Sequence, residues 1–415
     1  MVACFVVVAG FAVDAREASA SANDGSLATD AAEPAGDAIE LRARWRDGLR
    51  VQSKDESFVI KLGGRIHSDW SVAFSDRELR EDYPSLSSSD SGTRLRRARI
   101  GMAGTLYRNV FFRAEYDFAG GDAEPKDVYL GVQGIPWVGR ITVGHFKEPF
   151  SMESIASSND ITFLERALPH ALVPFRNAGV MASNVVRDGR VTWAAGVFRD
   201  VDDSGDGFGG DELWNLTGRL TALPFRSEDE KGLVHVGLSY SHQFRDDEEV
   251  RVNSRPEAGL FEARLVDSGR LPSDGVDLLG HEIALARGPW SLQAEYVRTW
   301  VASSTGDRSW DSTYVPLGWV ITGERRPYEA SKAAFGGVEP RRPFDPSTGD
   351  WGAWEAAVRH SWLDLGRIGG ELHDVSLGLN WYLNPNARLM LDYVYGNVTG
   401  SGETNIIEAR AQVAF

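Results

Sequence analysis

Polar and apolar residues take turns along most of this chain. From Ile60 the even positions read Ile60, Leu62, Gly64, Ile66, Ser68, Trp70, Val72 and Phe74, with Lys61, Arg65, His67 and Asp69 opposite them. The stretch "LRRARIGMAGTLYRNVFFRAEYDF" behaves alike: Ala98, Ile100, Met102 and Leu106 stand against Arg97, Arg99 and Thr105. After "YRN", Val110, Phe112, Ala114, Tyr116 and Phe118 stand against Arg113, Glu115 and Asp117. A period of two is the strand signal, because successive side chains of a strand point to opposite faces. The dyad returns around Val234–Tyr240, Trp290–Tyr296, Val375–Leu383 and Ile407–Phe415, often with Trp, Tyr or Phe near an end of the apolar face.

One such hairpin would suit a soluble sheet, so the number and spacing of segments decide. Segments of about ten residues, polar on one face and apolar on the other, mark a transmembrane barrel. Sixteen are legible, near 58–74, 93–107, 110–119, 125–134, 139–147, 178–187, 190–199, 212–223, 232–245, 279–287, 289–301, 311–323, 350–363, 370–383, 386–398 and 404–415. Alternate links are short: "YRN", "GIPWV", "RDG", "RGP" and "NPNA" fall on one side, and 75–92, 148–177, 200–211 and 246–278 on the other. Links 224–231 and 324–349 break that parity. The pattern predicts an all-β fold, a transmembrane antiparallel β-barrel of about 16 strands over residues 50–415.

Composition changes the picture at the N-terminus. "MVACFVVVAGFAVDA" followed by small residues reads as a secretory signal over residues 1–22, and the Ala, Asp, Glu and Ser-rich 23–49 as a flexible periplasmic segment. Cys4, the one cysteine, falls inside the signal. Elsewhere no run approaches the ~20 apolar residues of a membrane-spanning helix. A net charge of −16 argues against a nucleic-acid binder, since phosphate backbones call for clustered positive charge. Within the basic residues there is a bias: only six of 44 are lysine, and arginine keeps its charge at any working pH and presents a planar fork to oxyanions.

Enzyme chemistry finds no foothold. His67, His145 and His170 have no obvious Ser/Asp partners in sequence, and there is no HExxH, phosphate loop or nucleophile elbow. About 50 residues before the first strand are too few for the plug of an active transporter. The stretch from Asp200 places Asp200, Asp202 and Asp211 at calcium-loop positions, but the last should be a bidentate Glu between helices. A solvated turn explains it better. No cofactor is expected.

The blocks "FVIKLGGRIHSDW", "LRRARIGMAGTLYRNVFFRAEYDFAGG", "VGHFKEPFSMESIASSNDITFLERAL", "LQAEYVRTWV", "ITGERRPY", "GAWEAAVRHSWLDL" and "LGLNWYLNPNARLMLDYVYG" resemble, in order, those of the phosphate-selective porins O and P. The resemblance covers roughly residues 50 to 415 and ends at the terminal Phe415. It implies a homotrimer of sixteen-stranded barrels in the Gram-negative outer membrane, among lipid and lipopolysaccharide. Each pore would pass phosphate, polyphosphate or other inorganic anions through an arginine-lined constriction made by an infolded third loop; a general anion porin is the alternative. Carried over by motif, Arg65, Arg96, Arg97 and Arg166 are the constriction arginines, and Ser157 and Ser158 the serine pair of the loop 148–177. Parity turns Arg65, Arg97 and Arg99 toward the lumen and puts Arg96 outside unless a bulge intervenes. Two departures stand out: several path lysines are missing, and Ser154 replaces a loop lysine. The rival reading of these arginines is a neutralised lattice, with Arg113 facing Glu115 and Asp117.

Overall fold

The computed structural model describes residues 39–45, 48–202, 204–207, 213–229 and 232–415, of which Glu40–Phe415 forms one compact unit. The signal expected over 1–22 lies outside the described residues, as does most of the segment 23–49.

Sixteen long strands follow: β1 (Phe58–Ser75), β2 (Ser89–Leu106), β3 (Val110–Asp117), β4 (Glu124–Ile135), β5 (Gly139–Lys147), β6 (Arg176–Val186), β7 (Val191–Arg199), β8 (Trp214–Arg226), β9 (Gly232–Val250), β10 (Leu271–Arg287), β11 (Trp290–Ala302), β12 (Arg308–Val320), β13 (Ala353–Asp364), β14 (Glu371–Asn384), β15 (Ala387–Val398) and β16 (Gly402–Ala414). They coincide one for one with the alternating segments. Each pairs antiparallel with the next. β16 returns to β1 from Arg65↔Ala414 to Ser75↔Thr404, so the sheet closes. Closure pairs the first long strand with the last and removes the edges that a hydrocarbon layer could not solvate.

Below the seam, a hairpin of Leu41–Trp45 and Leu49–Ser53 continues the ladder. Leu49↔Leu62 to Gln52↔Val59 extend β1 beyond the point where β16 stops. The terminal Phe415 exchanges two backbone hydrogen bonds with Gly64, at 2.6 and 2.9 Å. A Cβ on Gly64 would sit 2.8 Å from the Phe415 ring and 2.5 Å from the Arg99 carbonyl, so glycine is required there by close approach.

Large apolar side chains face outward around the wall, among them Leu62, Ile66, Trp70 and Phe74 on β1, Leu130 on β4 and Leu216 and Leu220 on β8. So extensive an apolar exterior calls for lipid rather than water. At the short-turn rim Trp290 stacks on Trp319 and Trp354 on Trp381, with centroids 5.2 and 5.0 Å apart, as aromatic girdles do.

The links on the short side are turns of two to five residues, save one. Link 227–231 is short, so that exception to parity disappears. Link 321–352 remains long because it folds back into the lumen, carrying a small strand pair, Tyr328–Glu329 with Ala334–Phe335. From the other rim, links 148–175 and 251–270 also fold inward. Leu168, Leu172 and Val173 of the first pack with Phe261 and Leu265 of the second against Leu278, Val297 and Trp310 of the wall. Met152, Ala156 and Ile161 pack against Ala334 and Phe335 of link 321–352.

Candidate anion pore

An irregular segment inside a barrel must find partners for its own backbone. The wall of β11 to β16 supplies them to link 148–175. Arg388 donates to the Ile161 carbonyl (3.0 Å), Arg410 to Leu164 (2.7 Å), Arg359 to Glu165 (3.0 Å), Gln412 to Asn159 (3.1 Å) and Asn380 to Thr162 (2.9 Å). Carboxylates take the amides: Asp392 accepts from Leu164 (2.7 Å), and Glu295 from Met152 and Glu153 (3.0 and 2.8 Å). Hydrogen bonds to charged groups contribute about 1.5–3 kcal/mol each, so the link is fixed along its length. Charges on this half of the wall are consumed in holding the constriction.

The open passage runs along the other half, β1 to β8. A cavity of 510 Å³ there is lined by twelve basic side chains and three acidic ones, Glu115, Asp127 and Glu165. The buried Asp117 and Glu282 and the half-buried Glu124 and Glu329 pair with Arg99, Arg219, Lys126 and Lys332 respectively. Subtracting all seven carboxylates still leaves an excess of five positive charges.

The structure brings together most of the residues singled out in the sequence. Arg65 donates from Nη1 to Ser157 Oγ (3.2 Å) and Ser158 Oγ (3.0 Å), and from Nη2 to Glu115 (2.9 Å). Its Nε has no partner among the described residues. Arg96 is the bulge that parity required: His67 pairs with Arg97 but Ser68 with Leu95, so Arg96 is the extra residue. The inserted residue lets Leu95 and Ile100 both face outward while Arg96 and Arg97 both face in. Arg96 grips Glu165 with two hydrogen bonds, 2.8 and 3.0 Å.

Arg97 is 3% exposed and forms no ion pair among the described residues. Its Nη1 donates to His67 Nδ1 at 3.3 Å, and its Nε has no partner. Because that imidazole nitrogen accepts, His67 is neutral there and uses Nε2 toward Asn159 (3.0 Å). Arg99 differs: it pairs with Asp117 (2.7 Å) and Glu115 (3.1 Å), the neutralised lattice, which also takes Arg113. Arg166 donates to the carbonyls of Glu153 (3.1 Å) and Ala156 (2.9 Å) and has no ion pair among the described residues. Burial lowers its pKa to about 10, with Glu153 opposing, so it is charged at neutral pH.

Sequence reasoning missed several cations. Lys147, the last residue of β5, reaches the carbonyls of Ser154, Ile155 and Ala156 at 2.6, 3.3 and 2.9 Å. It places a lysine charge beside the position where Ser154 replaced one. Parity hid it, since Lys147 shares the face of the outward Val143. Arg140 lies 4.3 Å over the Phe111 ring, and Lys147, Arg166 and Arg176 surround Phe175 at 5.2, 5.2 and 4.7 Å. A ring face holds a cation, by about 0.5–2 kcal/mol, without neutralising it. Arg176 also pairs with Asp127 (3.0 Å). Arg219 holds link 321–352 through the carbonyls of Lys332 and Ala333 (3.0 and 2.8 Å).

Two other candidates resolve otherwise. Asp200 is bound by Arg245 (2.7 Å) and by Asn177 and Asn215 (2.9 and 2.6 Å), and Asp202 caps its own turn at Ser204 and Asp206. Asp211 lies outside the described residues, and among those described no His, Cys, Asp and Glu group forms a metal cage. Ser154 Oγ and His170 Nδ1 are 3.0 Å apart, the spacing of a nucleophile and its base. Ser154 is 2% exposed, and among the described residues no carboxylate orients His170.

The family description phosphate-selective porin O and P matches residues 60–415. Porin O of Pseudomonas aeruginosa is 25% identical over 422 aligned positions, which span 91% of this chain and 90% of that protein. Among solved structures, the anion-selective porin from Comamonas acidovorans matches with a TM-score of 0.54 and 12% identity, over 86% of this chain and 100% of that one. In-vitro folded OmpT of Vibrio cholerae matches at 0.54 and 13% identity, over 87% of this chain and 99% of that one.

Proposed function

Since the chain belongs to the phosphate-selective porin O and P family, outer-membrane barrels of Gram-negative bacteria, we propose that it conducts anions passively and that phosphate or polyphosphate is its preferred cargo. The observation that carries this reading is the excess of cations around a cavity whose waist joins Arg65 to Ser157 and Ser158. Rings of fixed charge set pore selectivity. Low-dielectric walls focus the field of charges at a waist, whereas acidic groups on external loops are screened within roughly 8 Å by physiological salt. An overall acidic chain can therefore hold an anion-selective pore. The two serine hydroxyls and the guanidinium groups lining the cavity suit a tetrahedral oxyanion, to which charge-assisted bonds are the strong ones.

The reading is a channel and not an enzyme. It places three copies together in outer-membrane lipid and lipopolysaccharide. Planar-bilayer recordings test it: reversal potentials in a KCl gradient should have the anion-selective sign, and added phosphate should reduce chloride current. Cation selectivity would overturn it. Anion selectivity without phosphate block would reduce it to a general anion porin.

A further inference from the structure

The cavity is larger than passage of a bare inorganic ion requires, and part of its wall is aromatic. Its 510 Å³ falls in the size range of pockets that enclose organic ligands, about 300–1,000 Å³. Phe111, Tyr129 and Phe146 come from three successive strands, β3 to β5, and all face it. Their centroids are 6.1 Å apart for Phe111 and Tyr129 and 5.8 Å for Tyr129 and Phe146, edge to face. Inward positions of a water-filled barrel are ordinarily polar; a row of rings there forgoes hydration and demands another explanation.

Phe111 and Phe146 are buried, while Tyr129 is half-buried at the cavity wall. The Tyr129 hydroxyl has no hydrogen-bond partner among the described residues. Beside the row, the exposed Arg140 lays its guanidinium over Phe111, and guanidinium planes stack on rings as readily as they bind oxyanions. Lys147 and Arg166, whose partners are backbone carbonyls, complete a wall that is planar and apolar in one part and cationic in another.

We infer that this cavity is a binding site for anions that carry a planar ring, aryl phosphates or aromatic carboxylates. The ring stacks on Tyr129 and Arg140, and the acidic group meets the uncompensated cations. The inference rests on the anion-channel reading above and adds the ring to the charge.

The test compares ligands of equal charge with and without a ring. On the wild-type channel, half-blocking concentrations are measured for phenyl phosphate against methyl phosphate and for benzoate against acetate. Ring contacts contribute about 0.5–1.5 kcal/mol, so the ring-bearing member should block at roughly twofold to twelvefold lower concentration. Tyr129→Leu should abolish the preference and Tyr129→Phe keep it. Equal block by both members of each pair overturns the inference. A full ring preference in Tyr129→Leu overturns the placement. If that variant does not insert, Arg140→Gln serves: it must reduce the preference, and an unchanged ratio refutes the site. Reversal potentials on the same channels separate the two readings, because equal block in an anion-selective pore sinks only the ring, and cation selectivity sinks the channel reading.

Discussion

Arg97 and Arg99 are two residues apart on one strand, both inward and both buried, yet their removal should have opposite consequences. Arg97 forms no ion pair among the described residues; Arg96, Arg410 and Arg99 repel it, with Glu165, already held by Arg96 and Arg410, opposing. Arg97→Gln therefore strands no buried anion and relieves like-charge repulsion. What it removes is a charge at the waist. An anion about 4 Å from a unit charge gains ~1 kcal/mol in bulk water and ~4 kcal/mol at an effective permittivity near 20. A waist part water and part protein lies between, and ~1.4 kcal/mol is already tenfold. Arg97→Gln should raise the half-blocking phosphate concentration about tenfold and leave thermal unfolding of the purified barrel unchanged or slightly raised. Arg99→Gln should do the reverse. It leaves Asp117 and Glu115 short of a partner in a site 5% exposed for each, and breaking a buried pair costs about 3–5 kcal/mol, so Tm falls. Two bilayer titrations and two calorimetric scans decide it. If Arg97→Gln leaves block unchanged, the unpaired arginine is not part of the waist. If Arg99→Gln unfolds at the wild-type temperature, the lattice is not holding the wall.

Gly64→Val forces a Cβ into the Arg99 carbonyl and the Phe415 ring, so the fraction of heat-modifiable, folded barrel on unboiled SDS gels should drop sharply; a normal fraction would count against a tight seam. Deleting Phe415 removes two backbone hydrogen bonds to Gly64 and should lower outer-membrane levels, which membrane fractionation would report. Burial, with Glu295 nearby, raises the Glu153 carboxyl from its ordinary 4.5 to about 7. Between those values the folded state binds the extra proton, so this group's stabilisation is complete below pH 4.5 and is lost as pH rises through 7. Glu153→Gln should flatten the fall of Tm with pH over that window, and an unchanged slope would show that Glu153 is ordinarily ionised. The assembled protein should run as an SDS-resistant trimer that boiling dissociates, and a band indifferent to boiling would contradict it.

The strands were legible because lipid outside and water inside impose period two on every one of them. Closure and the number sixteen followed from the alternation and the turn lengths. The alternation also localised its own defect: Leu95 and Ile100 cannot share a face without an extra residue, and Arg96 is that residue. Lys147 was hidden because parity constrains a residue inside a ladder and not the last one, whose stem is free to turn. Link 321–352 read only as an anomaly of length, since nothing local tells a segment that hangs below a barrel from one that re-enters it. The partners that draw it in, Arg219 and His235, lie about a hundred residues away. Which arginines are neutralised was equally out of reach, because Arg97 and Arg99 look alike until Asp117 and His67 are in place.

The fastening of link 148–175 also sets an order in time. Its bonds to Asp392, Arg410 and Gln412 bridge 228, 246 and 253 residues of sequence, and contacts of such separation form late and slowly. The segment that narrows the pore is made in the first half of the chain but is anchored by its last two strands, and the final one is also the closing seam. An unclosed barrel thus has a wall and a filter only partly fastened, by β11, β13 and β14. The last fastenings of the narrow segment and the sealing of the sheet therefore share one strand, so the filter is completed in the same step that closes the wall.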